Sequence, residues 1–370
     1  MNAYITSTGA FLPGPPVDND QIEDILGRVD GRRSRLKSRI LKANGILTRH
    51  YAIDAAHRTT HSNADMAIRA ARACLSASPV PMRSIGLLSC ATTQGDLVLP
   101  GFGSMVQAGI GIPEVELHTS HGICSSSAMA IRAATNSLRL GEHDSALVVV
   151  SELASRLFKH TRYEAAGGYE AIDFDAEFLR WMLSDGAGAW LLETRPRGRC
   201  LRVDWIRSYS HADSFPVCMS IGRPTDQADP RSWQDFPTYA AAEAAGALLI
   251  RQDVRLLDHI VKLGVDGALR LIDEGLLDVA RLDHLLCHYS SHHFRSRIFD
   301  LLQMSGAMIP YEKWFTNLYT RGNTGCASIL IMLDDFLRQG SAETGDTLLC
   351  MVPESGRFNV AYIHLTIVEA

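Results

Sequence analysis

The sequence predicts an α/β protein with buried, partly parallel sheets. Strand-like apolar runs alternate with segments whose apolar residues recur at helical spacing, and this alternation is typical of helices packed against a largely parallel sheet. The strand-like segments are continuous apolar runs, as expected for strands that are buried on both faces. With 370 residues, of which 46% are hydrophobic, the chain can form a large core in two domains or two halves.

The elements follow one another along the whole chain. Apolar runs predict strands at 85–89, 146–150, 189–192, 285–287, 347–352 and 360–368. Helical spacing predicts helices at 64–75, 104–108, 126–140, 241–263, 292–302 and 327–337. A glycine turn at 185–188 leads into a strand and is followed by a polar stretch, so we divide the chain into halves 1–194 and 195–370. Segment 158–178 is predicted to be a long surface excursion of the kind that covers an active site or a dimer contact.

Composition excludes several classes of protein. The net charge of −5 gives no reason to expect nucleic acid or an anionic membrane as a partner, although a local basic patch could bind an acidic protein. The N-terminal residues have no basic region followed by an apolar core, and no run of 18 apolar residues suggests a membrane span. The eight cysteines are scattered without a C-x-x-C pair. We therefore expect reduced thiols in a cytoplasmic protein.

Cys124 is the first candidate for chemistry. It lies between a glycine-containing turn and a helical segment whose predicted first turn carries three serines, at 125–127. We expect these small polar side chains to satisfy free N–H groups of that turn. The positive end of the helix dipole should favour the thiolate of Cys124, which would make it a nucleophile. The alternative is a small buried cysteine at the start of a core helix.

Two polar residues in the second half point to the same kind of position. His288 directly follows an apolar run that ends at Cys287, and Asn323 lies between two glycines ahead of a small-residue helix. The carboxyl ends of parallel strands are where α/β folds place reactive groups, so Cys124, His288 and Asn323 can converge on one pocket. His288 and His292 could form half of a zinc site, but no second pair with ligand spacing follows, so we expect no metal.

At this point the chain resembles the β-ketoacyl-ACP synthase III family. The resemblance rests on ordered segments at 91–96 (Ala-Thr-Thr-Gln-Gly-Asp), 122–126 (Gly-Ile-Cys-Ser-Ser), 185–189 (Asp-Gly-Ala-Gly-Ala), 288–291 (His-Tyr-Ser-Ser), 322–328 (Gly-Asn-Thr-Gly-Cys-Ala-Ser) and 354–358 (Glu-Ser-Gly-Arg-Phe). It extends from about residue 85 to the end of the chain. The resemblance implies a thiolase-like fold, in which two pseudo-duplicated halves form a five-layer αβαβα sandwich, and a homodimer.

The resemblance also implies roles for individual residues. Cys124 would carry the acyl group, and His288 and Asn323 would polarise the second thioester and stabilise its enolate. The backbone N–H groups of Cys124 and Gly356 would form the oxyanion hole. Leu99 matches the position that closes the acyl pocket of the partner subunit. The enzyme would need no cofactor of its own, because phosphopantetheine arrives on the carrier protein or coenzyme A substrate.

Two departures from the family pattern bear on the acyl donor. The family usually follows its histidine with Gln-Ala-Asn, but here Tyr289, Ser290 and Ser291 follow His288. The tryptophan that stacks on the adenine of coenzyme A is also absent. An acyl carrier protein is therefore the expected donor, and Arg295 and Arg297, beside His292 and His293, are the predicted docking residues in an acidic chain.

The N-terminal segments 11–27, 40–45 and 51–54 resemble one branch, the ketosynthases of dialkylresorcinol and flexirubin-type aryl-polyene pathways. That branch implies joining a β-ketoacyl thioester to an α,β-unsaturated acyl thioester, which gives a cyclohexanedione. Three alternatives remain: a starter-unit synthase that uses malonyl-ACP with decarboxylation, an acyltransferase acting on a hydroxyl or amine, and a catalytically silent partner subunit. The intact Cys, His and Asn disfavour the silent subunit.

Overall fold

Ten strands form one mixed sheet in the computed structural model, which describes residues 1–226 and 228–370. In chain order they are β1 (Tyr4–Phe11), β2 (Leu87–Thr92), β3 (Glu116–His121), β4 (Ser145–Glu152), β5 (Gly186–Glu193), β6 (Arg199–Ser210), β7 (His284–Cys287), β8 (Trp314–Phe315), β9 (Thr347–Glu354) and β10 (Asn359–Glu369). Two short pairs lie outside this sheet: Val17–Asp18 with Thr48–Arg49, and Met219–Ser220 with Arg251–Gln252.

The first five strands and the last five have the same topology. The order is β1-β5-β4-β2-β3 in the first half and β6-β10-β9-β7-β8 in the second. Strands β4, β2 and β3 of the first half run parallel to one another, as do β9, β7 and β8 of the second half. The other pairings within each half are antiparallel. The halves join where β1 pairs with β6 through Tyr4↔Arg202 and Ile5↔Leu201. The chain is therefore a duplicated five-strand unit, and the predicted division at residue 194 falls in the connection between β5 and β6.

The helices repeat in the same way. Within the described residues, the helices of eight or more residues are α1 (Lys37–Asn44), α2 (Asn63–Ser76), α3 (Phe102–Ile110), α4 (Ser126–Leu140), α5 (Leu257–Asp273), α6 (His292–Met304) and α7 (Ser328–Gln339). Shorter helices span Ile22–Leu26, His160–Ala165, Phe174–Glu177, Tyr239–Ala244 and Leu318–Arg321. By position in the topology, α2, α3 and α4 of the first half correspond to α5, α6 and α7 of the second.

Strand periodicity divides the core into layers. Along β4, Val148 and Val150 belong to the central hydrophobic cluster, whereas Leu147 and Val149 belong to the outer one. Such alternation is what a strand buried on both faces produces. Helices α4 and α7 supply the central cluster, α2 and α3 the outer cluster of the first half, and α5 and α6 that of the second. The two halves of the sheet, joined within the described residues only through β1 and β6, therefore form the two β layers of the five-layer αβαβα sandwich that the resemblance implies.

Three long connections, 12–62, 153–185 and the described part of the third (211–226 and 228–256), pack together in one hydrophobic cluster with α5 and α6. The excursion predicted at 158–178 lies in the second of them. It is built from short helices, and it buries Phe158 and Tyr163 in that cluster. These connections form a cap over the second half, and they complete the functional site described below.

Most predicted elements lie within a few residues of observed ones, and the helix at 126–140 has the predicted bounds. The continuous helix predicted at 241–263 is wrong. A helix ends at Ala244, Gly246 has a left-handed φ of 73°, and α5 begins only at Leu257. The left-handed backbone conformation at residue 246 favours glycine and turns the chain. Helical spacing of the apolar residues was therefore not enough to predict one continuous helix. Strands β1, β3 and β6 were missed because they carry many polar residues.

The described helices include none with both the length and the apolar character that a bilayer crossing requires.

Candidate active site

Cys124 lies two residues before α4 and is buried, with 8% of its surface exposed. The three serines beside it do not cap the helix as expected. The hydroxyl of Ser126 donates to the carbonyl of Ile123 at 2.7 Å, and that of Ser127 donates to the carbonyl of Cys124 at 3.0 Å. The serine hydroxyls therefore tighten the turn that holds Cys124 and leave the N–H groups of the first turn to other acceptors.

The acceptor comes from the other half of the chain. Glu354, the last residue of β9, accepts from the backbone N–H of Ser125 at 3.0 Å and from its hydroxyl at 2.6 Å. Two residues later, Gly356 lies so close to the turn that a Cβ there would be 2.5 Å from Cδ1 of Ile123. The end of β9 therefore fixes the turn around Cys124, and Gly356 lies beside it, as its predicted place in the oxyanion hole requires.

His288 and Asn323 occupy equivalent junctions in the second half. His288 follows β7, and its backbone N–H donates to the carbonyl of Met351 at 2.9 Å. Asn323 lies ahead of α7; its side-chain oxygen accepts from the N–H of Gly325 at 3.0 Å, and its backbone N–H donates to Met182 at 3.2 Å. The second contact ties Asn323 to the cap, so the cap positions this side chain.

The three predicted residues line one cavity of ≈ 310 Å³. The rest of its wall is mostly apolar and comes from the cap and the second half, including Leu157, Met182, Met219, Ile250, Val261 and Ile298. Phe178, at the end of the predicted excursion, also belongs to this wall. No Lys or Arg of the described residues lines the cavity. An apolar cavity with a few polar groups at one end is the usual form of a small-molecule site.

Burial sets the charge state of the histidine. The imidazole of His288 is 3% exposed, and its Nε2 is buried without a hydrogen-bond partner among the described residues. Loss of hydration lowers the pKa of His288 to about 4, so the ring is neutral near pH 7. A neutral ring with the proton on Nε2 can donate one hydrogen bond into the cavity, and an unpartnered buried polar atom is costly unless a ligand pairs with it.

The expected low pKa of Cys124 is wrong. Burial raises the pKa of this thiol well above its usual value, and the carboxylates of Glu354 and Glu152 raise it further. The dipole of α4 acts in the other direction, but Glu354 already occupies an N–H group at that helix end. At rest the enzyme therefore holds a thiol, and the thiolate forms only during reaction.

Glu152 is a functional candidate that the sequence analysis missed. It is the last residue of β4, lines the cavity, and is 6% exposed. Its Oε2 accepts from the hydroxyl of Thr93 at 2.6 Å and from the backbone N–H of Cys326, just ahead of α7, at 3.4 Å. Burial raises the pKa of this carboxyl. An acidic residue at the carboxyl end of an apolar strand was the available signal.

The two glutamates form a reciprocal pair. Glu152 ends β4 of the first half and contacts the start of α7, whereas Glu354 ends β9 of the second half and contacts the start of α4. The separation from Ser126 to Glu152 in sequence equals that from Ser328 to Glu354. Each half of the duplicated fold therefore supplies a carboxylate to the buried helix of the other.

Leu99 lies outside the wall of this cavity and is 83% exposed, next to exposed Leu97 and Val98. An exposed apolar loop of this kind is the surface that the predicted contact with a partner subunit needs.

The two arginines predicted to dock a carrier protein differ in their exposure and in the groups they contact. The guanidinium of Arg295 stacks 4.4 Å from the ring centroid of Tyr311, and its Nε is buried, so this residue supports packing. Arg297 is exposed and lines a wide outer cleft that shares Phe178 and Phe294 with the cavity wall. The sequence could not separate these two arginines because both lie on α6.

Metal binding has no support in residues 1–226 and 228–370, where no group of three His, Cys, Asp or Glu side chains could hold an ion. His292, the second member of the possible zinc pair, has its Nδ1 2.7 Å from the hydroxyl of Tyr319. That no cofactor is needed stays a prediction.

Two protein families match the chain. The N-terminal domain of β-ketoacyl synthase matches residues 116–197, which include Cys124, and the C-terminal domain of 3-oxoacyl-[acyl-carrier-protein (ACP)] synthase III matches residues 274–357, which include His288 and Asn323. The two matches therefore contain the three cavity residues in the expected order.

Solved structures share the fold over almost the whole chain. The 3-oxoacyl-(acyl carrier protein) synthase III of Pseudomonas aeruginosa PAO1 has a TM-score of 0.74 at 20% identity, covering 100% of this chain and 99% of that one. A tetronic acid condensing enzyme has a TM-score of 0.79 at 21% identity, covering 98% and 99%. OleA of Xanthomonas campestris, solved with lauric acid and lauroyl-CoA, has a TM-score of 0.77 at 19% identity, covering 99% of both chains. At these identities the structures show a shared thiolase-like fold.

Proposed function

Because the two family matches and the fold support a ketosynthase III-type condensing acyltransferase of the thiolase superfamily, we propose that this chain joins two acyl thioesters through an acyl-Cys124 intermediate. The observation that carries the proposal is the meeting of Cys124, His288 and Asn323 in one apolar cavity. Residues on three separate junctions of the fold converge there, which a packing role alone does not require.

The first step is acyl transfer to the cysteine. The sulfur of Cys124 attacks the thioester of an acyl carrier protein, and the backbone N–H groups of Cys124 and Gly356 stabilise the oxyanion. The carrier thiolate leaves and takes up a proton, while Cys124 loses one. This thiol–thioester exchange is neutral in protons overall, because the proton that Cys124 gives up is balanced by the one that the carrier thiolate takes up.

The second step forms the carbon–carbon bond. The carbonyl of the second thioester accepts hydrogen bonds from Nε2 of neutral His288 and from the side-chain amide of Asn323, so negative charge that develops on its oxygen is stabilised. The α-carbon of this thioester loses a proton or a carboxylate as CO₂, and the resulting carbanion attacks the acyl carbonyl on Cys124, after which the sulfur leaves as the thiolate. Donors in a dry cavity are effective here because low dielectric strengthens their interaction with the new charge.

We further propose the substrates of the dialkylresorcinol type, a β-ketoacyl thioester and an α,β-unsaturated acyl thioester that give a cyclohexanedione; closing the ring takes a second C–C bond, formed when a carbanion adds to the β-carbon of the unsaturated thioester. Two chains need more room than an acyl group and a malonyl group, and the apolar wall supplied by the cap and the second half supports this proposal. Leu99 is smaller than the Phe often found at its position in the family, which would leave room in the pocket of a partner subunit.

The proposal includes two protein partners. The exposed loop at 97–99 supports a homodimer. The outer cleft supports carrier-protein docking, because the arginines that line it (Arg39, Arg251, Arg255 and Arg297) outnumber the aspartates beside them (Asp173, Asp175 and Asp258). Carrier proteins are acidic, so this basic cleft would raise the encounter rate at the mouth of the cavity.

All eight cysteines are free thiols, which supports a reducing, cytoplasmic location.

Identifying the products that the enzyme forms from defined substrates tests the proposed function. We expect the enzyme to convert a β-ketoacyl-ACP and a 2-enoyl-ACP to a cyclic dione, identified by mass spectrometry and NMR. Decarboxylation of malonyl-ACP with condensation and no cyclic product would instead identify a starter-unit synthase. Absence of any acyl adduct on the protein would identify a silent partner subunit.

Acylation should occur at Cys124 alone. We expect Cys124→Ala to abolish the acyl adduct seen by intact-protein mass spectrometry after incubation with acyl-ACP, because no other thiol meets the cavity and its oxyanion site together. Cys326→Ala is the matched control, since Cys326 has the corresponding position ahead of α7; this variant should still form the adduct. An adduct on another cysteine of Cys124→Ala would contradict the assignment.

His288 and Asn323 should serve condensation rather than loading. Because thiol–thioester exchange needs no carbanion, His288→Ala and Asn323→Ala should still form the acyl-Cys124 adduct. Condensation should fall roughly 10²–10⁴-fold through loss of the groups that stabilise the carbanion. Adduct formation and product formation are measured on the same samples. Loss of both in both variants would mean that these residues activate the cysteine directly.

The basic cleft should act only on carrier-bound substrates. We expect the double substitution Arg39→Glu and Arg297→Glu to raise the apparent KM for acyl-ACP and to weaken its dependence on salt. Acyl-N-acetylcysteamine, which lacks the carrier, should react at the wild-type rate. Arg270→Glu is the control, because this exposed arginine on α5 pairs with Glu274 away from the cleft. Equal losses with both substrates would assign the two cleft arginines a structural role.

A further inference from the structure

Glu152 has an environment that helix capping alone does not explain. Its counterpart Glu354 is committed to Ser125 through two hydrogen bonds and is not among the described residues that line the cavity. Glu152 has only a long 3.4 Å contact with the N–H of Cys326, and its shorter hydrogen bond comes from the hydroxyl of Thr93. The duplicated glutamates have therefore diverged, and only one of them faces the substrate.

The chain is shaped around this carboxylate. A Cβ at Gly325 would lie 2.6 Å from Oε2 of Glu152, and Gly325 has a left-handed φ of 54°. Glycine is thus needed where the turn that carries Asn323 passes the carboxylate. Glu152 is also close enough to Cys124 for its charge to raise the pKa of that thiol. The carboxylate consequently lies near both Cys124 and the turn that carries Asn323.

The proposed reaction has an unmet chemical requirement. Decarboxylation of a malonyl group yields a carbanion without a base, but an acyl thioester with only C–H bonds at its α-carbon must lose a proton first. His288 is neutral with a lowered pKa and is assigned to the carbonyl oxygen. Within the described residues, Glu152 is the one Asp or Glu side chain that lines the cavity, and the other histidine of the wall, His121, is solvent-exposed at the end of β3.

We propose that Glu152 is the catalytic base that removes the α-proton of the second thioester, an inference that rests on the proposed condensation of two acyl thioesters. The C–H electron pair becomes the carbanion, and the proton passes to the Glu152 carboxylate. The carbanion forms the new C–C bond to the acyl carbonyl, and the C–S bond to Cys124 breaks. The departing Cys124 thiolate then takes the proton from Glu152. Both groups return to their starting states, and no external acid or base is consumed.

The charge states agree with this cycle. Burial raises the pKa of Glu152, which makes its carboxylate a stronger base than an exposed one. Burial raises the pKa of Cys124 well above its ordinary value, so its thiolate is a strong acceptor for the returning proton. The hydroxyl of Thr93 holds the carboxylate in place while it changes charge.

Exchange of the α-protons with solvent deuterium measures the proton-removal step separately from C–C bond formation. Octanoyl-N-acetylcysteamine in D₂O is incubated with the acylated full-length enzyme, and deuterium incorporation is followed by mass spectrometry. Glu152→Gln keeps the side-chain length and an oxygen acceptor for Thr93, but cannot take a proton. We expect exchange and product formation to fall roughly 10²–10⁴-fold, with acyl loading of Cys124 at the wild-type rate. In the wild type, exchange should rise with pH through the raised pKa of Glu152, and this dependence should vanish in the variant.

Two comparison variants separate catalysis from structure. Glu177→Gln removes another buried carboxyl, which lies outside the cavity wall, and should leave exchange unchanged. Glu354→Gln disturbs the turn that holds Cys124, so it should slow loading as well as condensation. If Glu152→Gln slowed loading as much as exchange, Glu152 would be a helix cap and the inference would fall.

The remaining outcomes separate this inference from the proposed function. Wild-type rates of exchange in Glu152→Gln would overturn the inference and leave the proposed function standing. Absence of exchange in the wild type, together with efficient decarboxylation of malonyl-ACP, would overturn both.

Discussion

The site depends on an exchange of carboxylates between the two halves of the fold. Glu354 from the second half holds the turn around Cys124 at the start of α4, and Glu152 from the first half reaches the start of α7 beside Asn323. The turn that carries Cys124 therefore depends on an acceptor from the other half of the fold. The duplicated topology and the pairing of β1 with β6 bring the two helix starts together.

The hydrogen bonds between the two halves affect stability and reaction rate to very different extents. A helix cap contributes about 1 kcal/mol to stability, which is small beside the burial of three hydrophobic clusters. A displacement of about 1 Å in a reacting group, however, can reduce a rate by roughly 10²-fold. The cross-half hydrogen bonds are therefore most important for the position of Cys124, while the α4 and α7 faces in the central core maintain the fold itself.

Apart from the Glu152 carboxylate, the reacting groups of the cavity carry little charge at rest. His288 is neutral, Cys124 is a thiol at rest, and the described Lys and Arg side chains stay out of the wall. Charge appears mainly during reaction, when a thiolate and an enolate form. Fixed donors in a dry cavity stabilise such charges at little reorganisation cost, which is the usual source of large rate effects in enzymes. The basic groups lie outside, in the cleft that would receive the carrier.

The sequence predicted the fold class, most buried strands and the three cavity residues, because each of these leaves a local pattern. Apolar runs mark buried strands, and Cys124, His288 and Asn323 each follow a recognisable turn. The polar edge strand β3 and the break at Gly246 left no such pattern. The pKa of Cys124 was mispredicted for a different reason: two carboxylates distant in sequence determine it together with burial, and neither distance nor desolvation is visible in a single sequence.

The reactivity of Cys124 toward iodoacetamide as a function of pH tests whether burial and the nearby carboxylates govern the pKa of this thiol. The rate of alkylation at this residue, followed by peptide mass spectrometry, reports its thiolate fraction. We expect an apparent pKa above the ordinary range of about 8.5–9 for a cysteine, and a lower value in Glu354→Gln, because one nearby negative charge has been removed. An apparent pKa below that range, unchanged by Glu354→Gln, would show instead that the helix dipole governs the thiol.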